Sequence, residues 1–156
     1  MATYYTSKAP SNGGGPTTGV GWNRNLITLE AQVQVTVAMS DNTNDSVGLF
    51  YAPAGFVVLG GTISSEDLDS STGIAWNVGD SGDQDRFFAA STVSQAATFS
   101  SALAPAGHFY KYTSRTEIRA YVQAAVSGTG AAGALKVALW GFVDPDYNTT
   151  ALTAST

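Results

Sequence analysis

Residues Thr28 to Met39 alternate: Leu29, Ala31, Val33, Val35, Val37 and Met39 are apolar, while Thr28, Glu30, Gln32, Gln34 and Thr36 between them are polar. A period of two over that length predicts a long strand with one dry and one wet face. The pattern returns in Thr116 to Val126, where Ile118, Ala120, Val122, Ala124 and Val126 share a face opposite Glu117, Arg119, Tyr121 and Gln123. It returns again in Ala134 to Val143, where Leu135, Val137, Leu139 and Val143 alternate with Lys136, Ala138, Trp140 and Phe142. The Gly-rich stretch Ser127 to Gly133 predicts that these last two runs form a β-hairpin. Shorter strands are expected at Val47 to Ala52, Phe56 to Ser65, Ile74 to Val78 and His108 to Tyr112, with Gly60-Gly61 marking a bulge or a close backbone approach. Ala89 to Ala106 is rich in small residues without a clear period and reads as strand, loop or short helical turn.

A sheet wetted on one side needs a second sheet over its apolar face. About seven to nine strands with frequent turn signals and no long amphipathic helix therefore predict an all-β antiparallel sandwich, jelly-roll-like. Residues 1–25 read as an extended N-terminal arm, since Pro10, Gly13-Gly14-Gly15-Pro16, Gly19 and Gly21 interrupt any regular element. Tyr4, Tyr5, Val20 and Trp22 are too apolar for a pure linker, so the arm is expected to lie on a surface, its own or a neighbour's. Residues 26–143 form the sandwich domain and 144–156 a tail. Trp140 and Phe142 break the wet face of their strand, which suggests a contact with the arm or another subunit. Tyr4, Tyr5, Trp22, Arg24, Trp140 and Phe142 are the candidate partner-binding residues.

With 156 residues, the chain suits one domain. Only 12% of residues are charged, about half the usual share, so the surface suits packing against neighbours. A net charge of −5 argues against a nucleic-acid groove, and Lys8, Arg24, Arg86, Lys111, Arg115, Arg119 and Lys136 form no cluster in sequence. Cysteine is absent, which excludes disulfides and thiolate metal sites. Neither a signal-peptide-like stretch in Met1 to Pro16 nor a membrane-length apolar run occurs, so folding in a cytoplasm without a membrane partner is expected.

No enzyme motif stands out. His108, the one histidine, lies in a strand-like run with no local motif to make it a general base. No Gly-x-Ser-x-Gly elbow or Ser-x-x-Lys motif occurs, and Gly13-Gly14-Gly15 and Gly128-Thr129-Gly130 lack the strand, lysine and helix of a phosphate loop. Two acidic clusters remain, Glu66/Asp67/Asp69 and Asp80/Asp83/Asp85. The second has the closely spaced Asp residues of a calcium loop but lacks its regular alternate spacing and closing bidentate Glu. The simpler reading is a solvated turn held by Asp side-chain to backbone bonds, with Arg86 either an internal ion-pair partner that fixes the loop or an ordinary exposed arginine. Tyr110, Tyr112 and Tyr121 could stack on sugars, although cross-strand packing explains them equally well. No catalytic residue, cofactor or metal is assigned.

The blocks Trp76-Asn77-Val78-Gly79-Asp80-Ser81-Gly82-Asp83-Gln84-Asp85-Arg86-Phe87-Phe88-Ala89-Ala90, Gly107-His108-Phe109-Tyr110-Lys111-Tyr112-Thr113 and Gly130-Ala131-Ala132-Gly133-Ala134-Leu135-Lys136-Val137 together resemble small structural proteins encoded among tailed-bacteriophage head genes. The resemblance implies a capsid decoration, or cement, protein. Such a protein is a compact β-sandwich, often a homotrimer, bound outside the virion shell where it bridges major capsid protein subunits. It carries over no catalytic or cofactor residue. A tail or fibre protein, or a receptor- or carbohydrate-binding sandwich, is the alternative.

Overall fold

The computed structural model describes residues 26–144. Eight strands form two four-stranded antiparallel sheets packed face to face. They are β1 (Ile27–Val35), β2 (Ser46–Ala52), β3 (Phe56–Ser65), β4 (Ala75–Asp80), β5 (Asp83–Ser91), β6 (Phe99–Ser100), β7 (Thr116–Ala124) and β8 (Gly133–Val143). The first sheet has the order β1-β8-β3-β6 and the second β2-β7-β4-β5. Pairing is nested: β1 with β8, β2 with β7, β3 with β6 and β4 with β5. The chain thus runs as one long hairpin folded over between two sheets, the sandwich expected from the alternating runs.

Alternation places the core. Val35, Val58, Ile63, Trp76, Val78, Phe87, Ile118, Val122, Leu135, Val137 and Leu139 meet between the sheets, essentially without exposure. Along β1 the odd residues face in and Thr28, Glu30, Gln32 and Gln34 face water. Gly60 belongs to the register break between Val58 and Gly60 on β3, where a Cβ would lie 2.6 Å from the Trp140 indole, so a bulge and a close approach coincide there.

Several local expectations are corrected. The opening strand stops at Val35, and Val37–Ser40 form a helical turn, α1. The buried Ser40 hydroxyl donates to the Val37 carbonyl at 3.0 Å, and the Met39 N–H donates to Thr36. This turns the chain toward the other sheet. Thr116–Ala124 and Gly133–Val143 do not form a hairpin, because β7 pairs with β2 and β4 while β8 pairs with β1 and β3. Both are central strands with two neighbours each, so the Gly-rich segment crosses the sandwich instead of reversing within a sheet. His108 to Tyr112 is no regular strand. Phe109 has a φ of 57° and breaks the extended backbone. The segment still runs beside β3, with Phe109 N–H donating to Val58, Val58 N–H to Tyr110 and Tyr112 N–H to Phe56. Ala89 to Ala106 resolves into the end of β5, a 3-10 turn at Val93–Gln95, the short β6 and the start of a second 3-10 turn at Pro105–Gly107.

Candidate interaction surfaces and buried polar clusters

Of the six candidate partner-binding residues, Tyr4, Tyr5, Trp22 and Arg24 lie outside the described residues. Trp140 and Phe142 lie on the outer face of the first sheet, both half-buried. Trp140 faces Thr28 on one side and Gly60 on the other, and Phe142 faces Val57. The indole fills the space that a side chain at residue 60 would take. Part of the reason for an aromatic here is therefore intramolecular. Further along the same face, the small Ala138 leaves an open trough of about 340 Å³ edged by Glu30, Gln32, Thr62, Ser64 and Lys136. Its lining is about equally polar and apolar, with one charge of each sign.

The Asp80/Asp83/Asp85 segment is tighter than a loop. β4 runs to Asp80 and β5 begins at Asp83, leaving Ser81-Gly82 as the turn. Asp80 is 4% exposed. Its Oδ1 accepts from the Gly82 N–H at 2.8 Å and the Asp83 N–H at 3.1 Å. Its Oδ2 accepts from Arg86 Nε and from the Tyr112 hydroxyl, each at 2.8 Å. The Arg86 guanidinium also lies 3.8 Å from the Tyr110 ring centre, and Tyr110 meets Tyr112 edge-on at 4.9 Å. Burial works to raise the pKa of Asp80, but Arg86, Tyr112 and the turn N–H groups outweigh it and hold the carboxyl below the usual range. Asp83 is raised by its hydrogen bond with Asp85 and by burial. With both Asp80 oxygens committed to protein donors, the segment acts as a clasp between the β4–β5 turn and the Tyr110 segment. Among the described residues, no group of three or more His, Cys, Asp or Glu side chains is placed to hold a metal ion.

A second buried carboxylate, Asp69, has a different role that its sequence position does not announce. It is 2% exposed and, among the described residues, has no cation beside it. Oδ2 accepts the N–H groups of Gly73, Ile74 and Ser127 at 2.9, 3.0 and 3.1 Å, and Oδ1 those of Ser71 and Gly128 at 3.0 and 3.2 Å. The hydroxyls of Ser71 and Ser127 hydrogen-bond to each other nearby. Burial opposes the charge, but the N–H groups of Ser127, Ser71, Gly73 and Ile74 together overcome it and hold the carboxyl far below the usual range. Asp69 thereby ties the β3–β4 connection to the β7–β8 crossover. The run Asp69-Ser70-Ser71-Thr72-Gly73 signals a side-chain-held turn, but nothing local points to partners 58 and 59 residues away.

His108 is exposed, just after the second 3-10 turn. Tyr112 and Tyr121 are buried and Tyr110 half-buried, so cross-strand and ring packing account for them. Among the described residues, no helix is long and apolar enough to cross a membrane.

No protein-family model matches the chain, and no curated protein matches it. Solved structures do. A chain of the Cyanophage Pam1 capsid asymmetric unit is 33% identical, covering 92% of this chain and 100% of that one, with a TM-score of 0.73. A chain of the capsid of Ralstonia phage GP4 shares the fold at 20% identity and a TM-score of 0.64, covering 77% of this chain and 85% of that one. Full-length correspondence with the Pam1 chain at that identity places this sandwich among the capsid-associated proteins of bacteriophages.

Proposed function

We propose that the protein is a capsid decoration protein, bound to the outside of a tailed-phage shell and stabilising it by bridging major capsid protein subunits, as a homotrimer. The observation that carries this reading is the 33% identity to a chain of the Pam1 capsid over that chain's whole length. The nested strand pairing supports a jelly-roll scaffold. The sparsely charged outer faces suit repeated, individually weak contacts that a symmetric lattice makes strong through multivalency. Residues 1–25, with Tyr4, Tyr5, Trp22 and Arg24, reach a neighbouring subunit or the shell, and Trp140 and Phe142 lie at the base of that contact. The polar clusters described above serve the fold, and no catalytic role is assigned.

The test is reconstitution on particles lacking the protein. Purified chain is expected to co-sediment with these shells, decorate their exterior in electron micrographs and raise the temperature at which they open. A chain lacking residues 1–25 should remain a folded sandwich by circular dichroism yet lose shell occupancy. Recovery of the protein only in the tail fraction would overturn the proposal in favour of a tail or fibre role.

A further inference from the structure

Among the described residues the sandwich has four edge strands, and three are blunted against further pairing. β5 carries Asp83, Asp85 and Arg86, has two register breaks against β4, and places Ala90 at a φ of 46°. β2 has a register break between Gly48 and Phe50. β6 is two residues long. These are the usual devices by which a sheet edge refuses another strand. β1 has neither register breaks nor brevity, and it carries one charge. It is nine residues long, in unbroken register with β8, free of Gly and Pro, and charged only at Glu30. Its other side pairs with no strand among the described residues.

The same side of the sandwich is where the core is least covered. β1 lies over β2 there, and Ile27, Leu29, Val33, Val47, Leu49 and Phe50 pack against the core only half-buried. From these two strands only Val35 and Ala52 are fully enclosed. An unprotected strand edge beside a half-covered apolar seam is a surface built for strand addition.

We infer that β1 is a self-association edge, pairing antiparallel with β1 of a second copy about a two-fold axis at Ala31. Pairing centred on Ala31 uses the whole strand. It keeps dry residues opposite dry residues, Leu29 facing Val33 of the second copy and Ile27 facing Val35, so the seam is covered continuously. It also sets Glu30 opposite Gln32 of the second copy, a favourable cross-strand pair, whereas a register centred on Glu30 would put two carboxylates face to face. The contact is isologous and two-fold, distinct from the three-fold contact of a trimer, and links one such assembly to the next. It does not depend on shell binding.

The absence of cysteine makes the test clean. Facing residues in an antiparallel pair have Cα atoms about 4.5 to 5.5 Å apart, within disulfide range, so Ala31→Cys should cross-link to itself under mild oxidation of the full chain. Thr28→Cys should not, because the two copies of that residue would stand about 20 Å apart along the strand. The double variant Thr28→Cys/Gln34→Cys should regain the cross-link. We expect at least about tenfold more covalent dimer from Ala31→Cys than from Thr28→Cys, and amide exchange at residues 27–35 that slows as wild-type concentration rises. Equal yields from the two single variants would mean random collision and overturn the proposal. A monomeric Ala31→Cys overturns it as well. If its β1 amides are protected at every dilution, the chain's own N-terminal segment occupies the edge; if they exchange freely, the edge is unoccupied.

Discussion

Asp69 and Asp80 are both aspartates buried in the same small sandwich, and each stays charged by opposite means. Asp80 has a full cation against it, Arg86, together with a phenol and two turn N–H groups. Asp69 has no cation beside it among the described residues and is neutralised by five backbone N–H groups drawn from two segments far apart in the chain. An arginine can be exchanged for an apolar residue of similar length. Five oriented peptide groups cannot. The prediction that follows is asymmetric: the carboxylate with no counter-ion should be the one the fold depends on more.

Asp69→Ala tests that directly and should have the largest effect. It leaves five backbone donors without their acceptor in a place that is 2% exposed, and unsatisfied buried donors cost about 1 to 3 kcal/mol each before water relaxes into the gap. A loss of at least about 3 kcal/mol in urea unfolding, or failure to fold, is expected. Asp69→Asn should recover less than half of that loss, because its amide group turns donors toward donors. Arg86→Met should cost less, about 2 kcal/mol, since Asp80 keeps Tyr112 and two N–H groups. The double variant Asp80→Asn/Arg86→Met should lose about 1 kcal/mol less than the sum of the two single-variant losses, the coupling of a direct contact. A larger loss from Arg86→Met than from Asp69→Ala would reverse the comparison.

Acid sharpens it further. Both carboxyls are held below their ordinary value of 3.8 in the fold. A depressed folded pKa contributes stability that is present above the unfolded value and lost as pH falls through the folded one. Asp83, raised, contributes in the opposite direction: its share is lost as pH rises through its folded value and is fully present only below its ordinary, unfolded value. Stability should therefore fall as pH drops below about 4. Because Asp69 is held far below the range, its share should still be falling at the lowest pH reached. Measured as urea midpoints from about pH 5 to about pH 2.5, the slope for Asp69→Asn should be shallower than for wild type.

How much of this was legible beforehand differs between the two sites. Asp80 and Arg86 are six residues apart on one hairpin, so a side-chain-held turn with an internal ion pair could be read from spacing alone. The turn itself is shorter than the spread of the three aspartates suggests, because Asp80 and Asp83 pair and close it from within the strands. Asp69 could not be read, because its partners Ser127 and Gly128 lie in the very stretch that looks like a hairpin loop. Period two locates strands and their dry faces, as in β1 and β8. It carries no information on which sheet a central strand joins, and β7 and β8 part company for that reason. Trp140 shows the middle case. Its exceptional place on a wet face is plain from alternation, while the glycine beneath it becomes its partner only when β3 and β8 pair.

The smallest effect should come from one of a pair of glycines, one at each site. A Cβ at Gly79, next to Asp80, would lie 2.1 Å from the Asp83 carbonyl oxygen and 2.6 Å from the Gln84 carbonyl carbon, so the backbone of the β4–β5 turn would have to move. A Cβ at Gly128, in the Asp69 cradle, would meet the Ser70 hydroxyl at 2.5 Å, with the Ser71 hydroxyl and Asp69 Oδ1 beyond 3 Å. A hydroxyl can rotate away, at the cost of the bond it accepts from the Thr129 N–H. Gly79→Ala should therefore destabilise by about 2 kcal/mol and Gly128→Ala by about 1 kcal/mol. Here the order of the two sites inverts. The site whose carboxylate matters less has the stiffer backbone, because a two-residue turn has nowhere to yield. In the cradle, the restraint is vested in Asp69 itself. Equal losses from the two alanines would mean that the crossover is as rigid as the hairpin, and that Asp69 fastens a segment already held by its neighbours.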